Sequence, residues 1–397
     1  MKSILQINVT ANIGSTGRIV ENLGDLAMSD GWASYIACRD FNNSKSNIIK
    51  IGNKKDFYIH SLQTRLLDNH GFASISATKQ LIKKIKKINP DVIHLHNLHG
   101  YYLNLSILFD YLRKSNKSIF WTLYDCWSFT GHCSYYDLVK CNKWQTECNN
   151  CPNKNEYPKS ILLDRSRKNF VRKKQIFTGI KNLNIIVNSK WLKGEVEKSF
   201  LSDYQISVIY NGINLNDFKP ANTFDRLREL KLEKKFIIIG IASEWGKRKG
   251  LNDFIKLSYQ LKDDEIIVLD GLSKTQRNNL PGNIIALDRA KSINELTVLY
   301  SMGDVFVNTT KEDNFPTTNL EALACGTPVI TYDSGGSPEA VDEKTGFIVE
   351  KENIKSLIFT IRKVKKRGSK LYFDECIKKA TTEFNYKKNY QKIINLY

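Results

Sequence analysis

The sequence predicts an α/β chain built as two Rossmann-like, doubly wound domains, each with a parallel sheet. Strand-like apolar runs alternate with segments whose apolar residues recur at spacings of three and four, the period of a half-buried helix. Such alternation implies parallel strands joined by crossover helices. The pattern restarts after Pro220, and a turn-rich segment, Asn211-Gly-Ile-Asn-Leu-Asn-Asp-Phe-Lys-Pro220, separates the two halves.

In the first half the strands are expected at Ile4 to Val9, Ser34 to Cys38, Asp91 to His94, Ser118 to Leu123, Asn184 to Asn188 and Ile206 to Ile209. Helices are expected at Ile19 to Met28, Thr78 to Ile88, Asn104 to Arg113 and Trp191 to Phe200. In the second half the strands are Phe236 to Ile241, Glu265 to Leu269, Asn283 to Leu287, Asp304 to Val307 and Pro328 to Tyr332. The helices there are Leu251 to Leu261, Ile293 to Ser301, Thr318 to Cys325 and Ile354 to Val364. The expected organisation is a first domain at 1–210 with a cysteine-rich loop at 126–151, a linker at 211–220, and a second domain at 221–380. A C-terminal helix at 381–397 is expected to pack back on the first domain. Ligands of such sheets bind beyond the carboxyl ends of the strands, so a cleft between the domains is expected to hold the site.

Composition excludes several classes. A 41% hydrophobic share fills the cores of the two or three domains that 397 residues suggest, and eight prolines with 22 glycines fit neither a disordered nor a collagen-like chain. No apolar run approaches the roughly eighteen residues of a spanning helix, and Met1 to Val9 reads as a strand rather than a signal peptide. A cytoplasmic chain is therefore expected. The formal charge is +19, unevenly spread: 31 basic and 17 acidic residues up to Lys219 give +14, and 29 and 24 beyond it give +5. An anionic partner for the first half follows, and charge alone leaves nucleic acid, an anionic membrane surface and phosphorylated small molecules open.

Three stretches at strand ends carry chemistry. Asn12-Ile-Gly-Ser-Thr-Gly-Arg18 is a Gly-rich turn opening a helix, suited to a phosphate and equally to a plain tight turn. Lys247-Arg-Lys-Gly250 puts Arg248 and Lys249 where they would neutralise a diphosphate, or would stand as a solvated basic turn. The richest is Thr309-Thr-Lys-Glu-Asp-Asn-Phe-Pro-Thr-Thr-Asn-Leu-Glu-Ala-Leu-Ala-Cys-Gly-Thr-Pro-Val-Ile330. Here Asp313 precedes a helix, Thr317 and Thr318 occupy its first turn with amides free for phosphate oxygens, and Glu321 follows one turn later. A carboxylate beside a phosphate site makes chemical sense as an acceptor for sugar hydroxyls; otherwise the two acids merely favour the positive helix end.

The Asp313-x7-Glu321 spacing, the following Ala-Leu-Ala-Cys-Gly-Thr-Pro-Val, the Gly335-Gly-Ser-Pro-Glu339 turn and the Arg-Lys-Gly turn resemble the donor-binding half of retaining GT-B glycosyltransferases of family four. Gly14-Ser-Thr-Gly-Arg18, Pro90-Asp-Val-Ile-His-Leu-His-Asn-Leu-His-Gly100 and Trp121-Thr-Leu-Tyr-Asp-Cys-Trp-Ser-Phe-Thr-Gly-His-Cys133 resemble its branch that builds bacterial capsule, O-antigen and other exopolysaccharides. The resemblance covers nearly the whole chain. It implies a hexosyltransferase that uses a UDP- or GDP-sugar and a glycan or polyprenyl-diphosphate-linked acceptor, with retention. Within it Glu321 binds the nucleotide ribose, Asp313 faces donor-sugar hydroxyls, and Arg248, Lys249, Thr317 and Thr318 hold the diphosphate. Gly14 and Gly17 let the first-domain backbone approach that diphosphate. Family members commonly carry Glu where Asp313 stands and His where Tyr124 stands. A phenol does not carry a proton near neutral pH as imidazole does, so Tyr124 is expected to position rather than to act as acid or base. The chain has no Asp-x-Asp triplet, in keeping with catalysis that requires no cofactor. Nucleic acid is not among the implied partners. Rival readings are a sugar-nucleotide epimerase or hydrolase on the same scaffold and a non-catalytic polyanion binder.

His94, His96 and His99 lie close in sequence, but the first belongs to an apolar run that should be buried, so a metal triad is not the favoured reading; His96 and His99 are acceptor-side candidates with Tyr124. Cys133, Cys141, Cys148 and Cys151 have a spacing compatible with a structural zinc, with packed thiols and a disulfide as the other readings. Lys83, Lys84, Lys86 and Lys87 on a helix that also carries Leu81, Ile82, Ile85 and Ile88, together with the basic run Arg165 to Lys174, suggest contact with the inner face of an anionic membrane, or a solvated basic face over a buried apolar one.

Overall fold

The computed structural model describes residues 1–397. The chain divides into two compact units, Met1–Tyr210 with Tyr390–Tyr397, and Asn211–Asn389.

The first unit contains β1 (Ser3–Ile7), β2 (Thr10–Ala11), α1 (Gly14–Ser29), β3 (Ala33–Cys38), β4 (Asp40–Phe41), β5 (Asn47–Lys50), α2 (Lys54–Leu67) and α3 (Ile75–Ile88). It continues through β6 (Val92–Leu95), α4 (Leu105–Lys114), β7 (Ser118–Leu123), α5 (Ser166–Phe177), β8 (Leu183–Val187), α6 (Lys190–Glu197) and β9 (Ile206–Val208). Its main sheet runs β5-β3-β1-β6-β7-β8-β9, with every pair parallel. The order grows outward from β1 in both directions, so β1 and β6 flank the point where the winding reverses. β2 and β4 form a separate parallel pair.

The second unit contains α7 (Phe224–Leu230), β10 (Phe236–Ile241), α8 (Leu251–Ser258), β11 (Glu265–Asp270), α9 (Lys274–Arg277), β12 (Ile284–Leu287) and α10 (Ile293–Met302). After these come β13 (Val305–Asn308), α11 (Thr317–Ala324), β14 (Val329–Tyr332), β15 (Gly346–Val349), α12 (Ile354–Arg367), α13 (Phe373–Glu383) and α14 (Tyr386–Ile394), whose residues from Tyr390 onward count with the first unit. The sheet order β12-β11-β10-β13-β14-β15 is again a doubly wound parallel sheet, with its reversal between β10 and β13.

Sequence explains these sheets directly. A strand covered by helices on both faces reads as a continuous apolar run, as Phe236-Ile-Ile-Ile-Gly-Ile241 does, with Ile237, Ile238 and Ile239 at most 2% exposed. Gly240 is required there, because a Cβ would stand 2.6 Å from the Phe254 ring of α8. Leu320 and Leu323 of α11 are fully buried, each contributing about 1.5–3 kcal/mol.

Several helices differ from the sequence expectation. α3 turns Leu81 and Ile85 into the core, and Ile82 and Ile88 pack against it, so Lys83, Lys84, Lys86 and Lys87 stand outside without those apolar neighbours. The basic run at 165–174 is largely α5, with Phe170, Lys173 and Phe177 buried and the Arg172 guanidinium 3.9 Å from the centre of the Phe72 ring. α2 and β5 carry no signal recognised in the sequence.

Candidate active site

The second unit gathers charge at its winding reversal. Arg248 and Lys249 lie in the loop after β10, and Asp313 lies in the loop after the neighbouring β13. Lys249 Nζ donates to Asp313 Oδ2 at 2.7 Å, and Arg248 Nη1 lies 3.7 Å from the same oxygen while donating to Glu312 O at 2.8 Å. The loops are joined by backbone as well, since Lys311 N donates to Arg248 O at 2.8 Å and Thr309 Oγ1 to Lys249 O at 2.9 Å. Gly250 permits this approach: its φ is +76°, and a Cβ there would fall 2.4 Å from Thr309 O. Burial pulls the Lys249 ammonium below its usual pKa while Asp313 pulls it back. Burial opposes ionisation of Asp313, yet Lys249 and Arg248 outweigh it and hold the carboxyl below its usual value. The pair is therefore ionic, and the Arg248 side chain beside it is 41% exposed.

Beside this cluster stands the N-terminus of α11. Pro316 precedes it, no side chain caps it, and no acid lies in its first turn, so the Thr317 and Thr318 end keeps its positive dipole for an anion. Glu321 is 3% exposed and accepts from Tyr300 Oη at 2.7 Å, which fixes the carboxylate within the helix-packed wall. Asn319 ties the parts together: Asn308 Nδ2 donates to its Oδ1 at 2.8 Å, and its own Nδ2 donates to Ser337 Oγ at 2.9 Å. Strand end, helix start and the Gly335–Glu339 turn are thus one hydrogen-bonded body. Lys311 points elsewhere, to Asp253 and Glu352.

In the first unit, Gly14 has a left-handed φ of +68° with open space around it, and Gly17 sits so close to the preceding turn that a Cβ would be 2.7 Å from Thr10 Oγ1. The two glycines shape the turn that feeds α1. His96 is 2% exposed; its Nδ1 meets Tyr124 Oη at 3.0 Å and its Nε2 meets Gln6 Oε1 at 3.1 Å, with burial lowering its pKa to about 3. His96 thus acts only through Tyr124, which is half-buried at the end of β7. His94 stacks on His96 with ring centres 4.0 Å apart and meets Thr122 and Tyr397, so these histidines serve the interior. His99 differs. Its Nε2 meets Asp125 Oδ2 at 2.7 Å, and its Nδ1 meets Tyr157 Oη at 2.8 Å, which joins the loops after β6 and β7 through a partly accessible imidazole–carboxylate pair.

Comparison with known proteins identifies the family. The profile described as "Glycosyltransferase Family 4" matches residues 16–217, and that described as "Glycosyl transferases group 1" matches residues 223–382. The chain belongs to glycosyltransferase family 4. It is a transferase with the GT-B fold of two parallel-sheet α/β domains. Over 371 residues it is 24% identical to the putative colanic acid biosynthesis glycosyl transferase WcaC of Escherichia coli K12, covering 90% of this chain and 89% of that one. It is 25% identical over 220 residues to an Escherichia coli UDP-Gal:alpha-D-GlcNAc-diphosphoundecaprenol alpha-1,3-galactosyltransferase, covering 51% and 56% of the two chains. Among solved structures, the sucrose-phosphate synthase of Thermosynechococcus elongatus superposes with a TM-score of 0.73 at 17% identity, covering 100% and 98% of the chains. Anabaena HepE in complex with UDP-glucose superposes at 0.69 and 14%, covering 100% and 99%.

For a family 4 chain, the residues that sequence reasoning passed over are the supports. Tyr300 and Asn319 fix Glu321 and the α11 start, and Asp125 partners His99; an acid directly after the Tyr124 strand end was the available signal. The four cysteines, Cys133, Cys141, Cys148 and Cys151, line one small cavity with His132 and Trp144. Cys148 Sγ accepts from Gly131 N at 3.2 Å, all eight cysteines of the chain are free, and no three His, Cys, Asp or Glu side chains are arranged as a metal cage.

Proposed function

We propose that the protein transfers a sugar, with retention, from a UDP- or GDP-sugar to a glycan or polyprenyl-diphosphate-linked acceptor in the synthesis of a bacterial surface polysaccharide. The observation that carries this reading is the Arg248–Lys249–Asp313 cluster beside the uncapped start of α11. Departure of a nucleoside diphosphate leaves negative charge on its outer phosphate, and preorganised cations and amides stabilise that charge most when it is fully developed. Arg248, Lys249 and the Thr317 and Thr318 amides take this role. Asp313 holds Lys249 in place and accepts from a donor-sugar hydroxyl, and Glu321 accepts from the ribose. The bond from the anomeric carbon to the phosphate oxygen breaks as the acceptor oxygen bonds to the same face, and the acceptor proton passes to the departing phosphate. Gly14 and Gly17 bring backbone amides to a phosphate, and Tyr124, held by His96, positions sugar together with His99.

Names of relatives support the acceptor class: one is named a putative colanic acid biosynthesis glycosyl transferase and another a galactosyltransferase for a diphosphoundecaprenol-linked sugar. Such an acceptor is met at an anionic membrane surface, and no helix of the chain is long and apolar enough to cross a membrane. Transfer in this reading needs no cofactor. The cysteine loop is proposed to take a structural zinc, on its spacing, its shared cavity and the Gly131 amide already aimed at Cys148. The test of the function is a thermal-shift panel of nucleotide sugars, followed by transfer from the best donor to lipid-linked acceptors and assignment of the product's anomeric configuration. Release of free sugar or an isomerised nucleotide sugar, with no acceptor product, overturns it.

A further inference from the structure

α2 is inside out. Its inward face carries His60 and Thr64, 1% and 0% exposed, while Tyr58, Ile59 and Leu62 are 66%, 55% and 58% exposed. This orientation is fixed by polar bonds and not by slippage. An Asn53–Asp56 capping box starts the helix, His60 Nδ1 meets Ser74 Oγ at 2.8 Å, His60 Nε2 accepts from Gly71 N at 3.1 Å, and Thr64 Oγ1 donates to His60 O at 3.0 Å. A helix normally hides its apolar stripe, so one that is locked with that stripe in water marks a surface for something else.

The stripe does not end with the helix. Ile161, Leu162 and Leu163 are 53%, 63% and 42% exposed on a loop bound to the end of α2, with Ile161 N donating to Arg65 O at 2.6 Å and Leu163 N to Leu66 O at 3.3 Å. Basic residues rim the combined face. Lys55 precedes Ile59 by one turn, Arg65 follows Leu62 by one turn, Lys159 lies two residues before Ile161, and Lys168 lies in the first turn of α5, all of them exposed. The acids nearby are Asp56, whose Oδ2 accepts from Asn53 N, Glu156, exposed, and Asp164, whose oxygens are taken by Cys151 N and Ser166 N; Arg167 is paired with Glu147.

We propose that this face docks on an anionic lipid surface, with Ile161, Leu162 and Leu163 entering the headgroup boundary and Lys55, Arg65, Lys159 and Lys168 meeting lipid phosphates. Charge complementarity selects lipid over a protein partner: the rim is cationic on a half-chain of +14, and aliphatic side chains at a loop tip suit a fluid layer. The inference gives the membrane contact of the proposed function its own surface, and it replaces the lysine helix α3, whose Leu81 and Ile85 are in the core with Ile82 and Ile88 packed against it. The same loop carries Tyr157, bonded to His99, so docking sets the membrane edge beside the candidate acceptor residues.

The test is co-sedimentation of the full chain at low salt with vesicles of phosphatidylcholine and with equimolar phosphatidylcholine and phosphatidylglycerol. Binding to the anionic vesicles alone is expected, falling by about tenfold or more in a Leu162→Ser, Leu163→Ser variant. An Ile59→Ser, Leu62→Ser variant is the second probe, should the first fail to fold. Substituting Lys83 and Lys84 by Gln should weaken binding far less. Unchanged binding by both apolar variants, or equal binding to both vesicles, overturns the proposal. So does self-association of the wild type that the serine variants abolish, which makes the face an interface between copies. Retained nucleotide-sugar thermal shifts in the variants separate this failure from failure of the transferase reading.

Discussion

Asp313 takes both its cations from another loop, so a change on either loop alters the charge of the whole cluster. Lys249→Ala removes the shorter of its two contacts, 2.7 Å against 3.7 Å for Arg248, and leaves Asp313 underneutralised beside the diphosphate. Turnover should fall roughly a hundredfold, the scale of a lost charge-stabilising donor, while the fold persists; steady-state transfer rates on a circular-dichroism-verified variant check this. Asp270, at the end of β11, offers a pH test. It is 3% exposed, its Oδ1 accepts from Ala290 N at 2.8 Å, and burial raises its pKa to about 6. The fold therefore binds this proton more tightly than the unfolded chain does, and the stability it lends under acid conditions is lost as pH rises through about 6. Asp270→Asn keeps the acceptor and removes the charge, so it should stabilise the fold near pH 8, by roughly 2 kcal/mol at most and read as a higher melting temperature, with the gain vanishing near pH 4. Equal gains at both pH values would contradict that assignment. At this scale the sequence displayed the charged residues through their place at strand ends. It concealed Tyr300, Asn319 and Asp125, because a supporting side chain is recognised by its partner and the partner is distant in sequence.

Elements were legible where burial is one-sided or complete. β10 and α11 announce themselves by apolar runs and period, whereas α2 escapes because its exposed positions are apolar and its buried ones are His60 and Thr64, the reverse of the pattern that a helix search weighs. α5 is hidden among arginines and lysines for a related reason: Lys173 itself is buried, its Nζ donating to Trp127 O at 2.6 Å. Two element-level substitutions follow. Gly250→Ala places a methyl group 2.4 Å from Thr309 O at a left-handed φ, which should push the β10 and β13 loops apart and abolish nucleotide binding, with first-unit stability unaffected. In the cysteine loop, freshly reduced protein should contain one zinc per chain, lost when Cys148 and Cys151 are both changed to Ser, and chelation should loosen the loop without removing donor binding. Elemental analysis giving zinc well below one equivalent leaves the four as packed thiols.

Across the whole molecule, repetition made the fold readable: two rounds of strand and helix with a turn-rich join leave few topologies open. The sheet orders add what repetition could not supply, the reversal between β10 and β13 that brings Lys249 to Asp313 from loops more than sixty residues apart. The final eight residues, Tyr390–Tyr397, belong with the first unit, where Tyr397 Oη meets His94 Nδ1 at 2.5 Å. The most direct measurement of donor binding is titration calorimetry of UDP- and GDP-sugars against the wild type and Glu321→Ala. One nucleotide sugar should bind the wild type, and the variant should bind it about 10- to 150-fold more weakly, the value of a hydrogen bond to a charged acceptor, with the fold retained. Equal affinity in the folded variant, or no binding by the wild type to any of these nucleotide sugars, would contradict the placement of the donor site at α11.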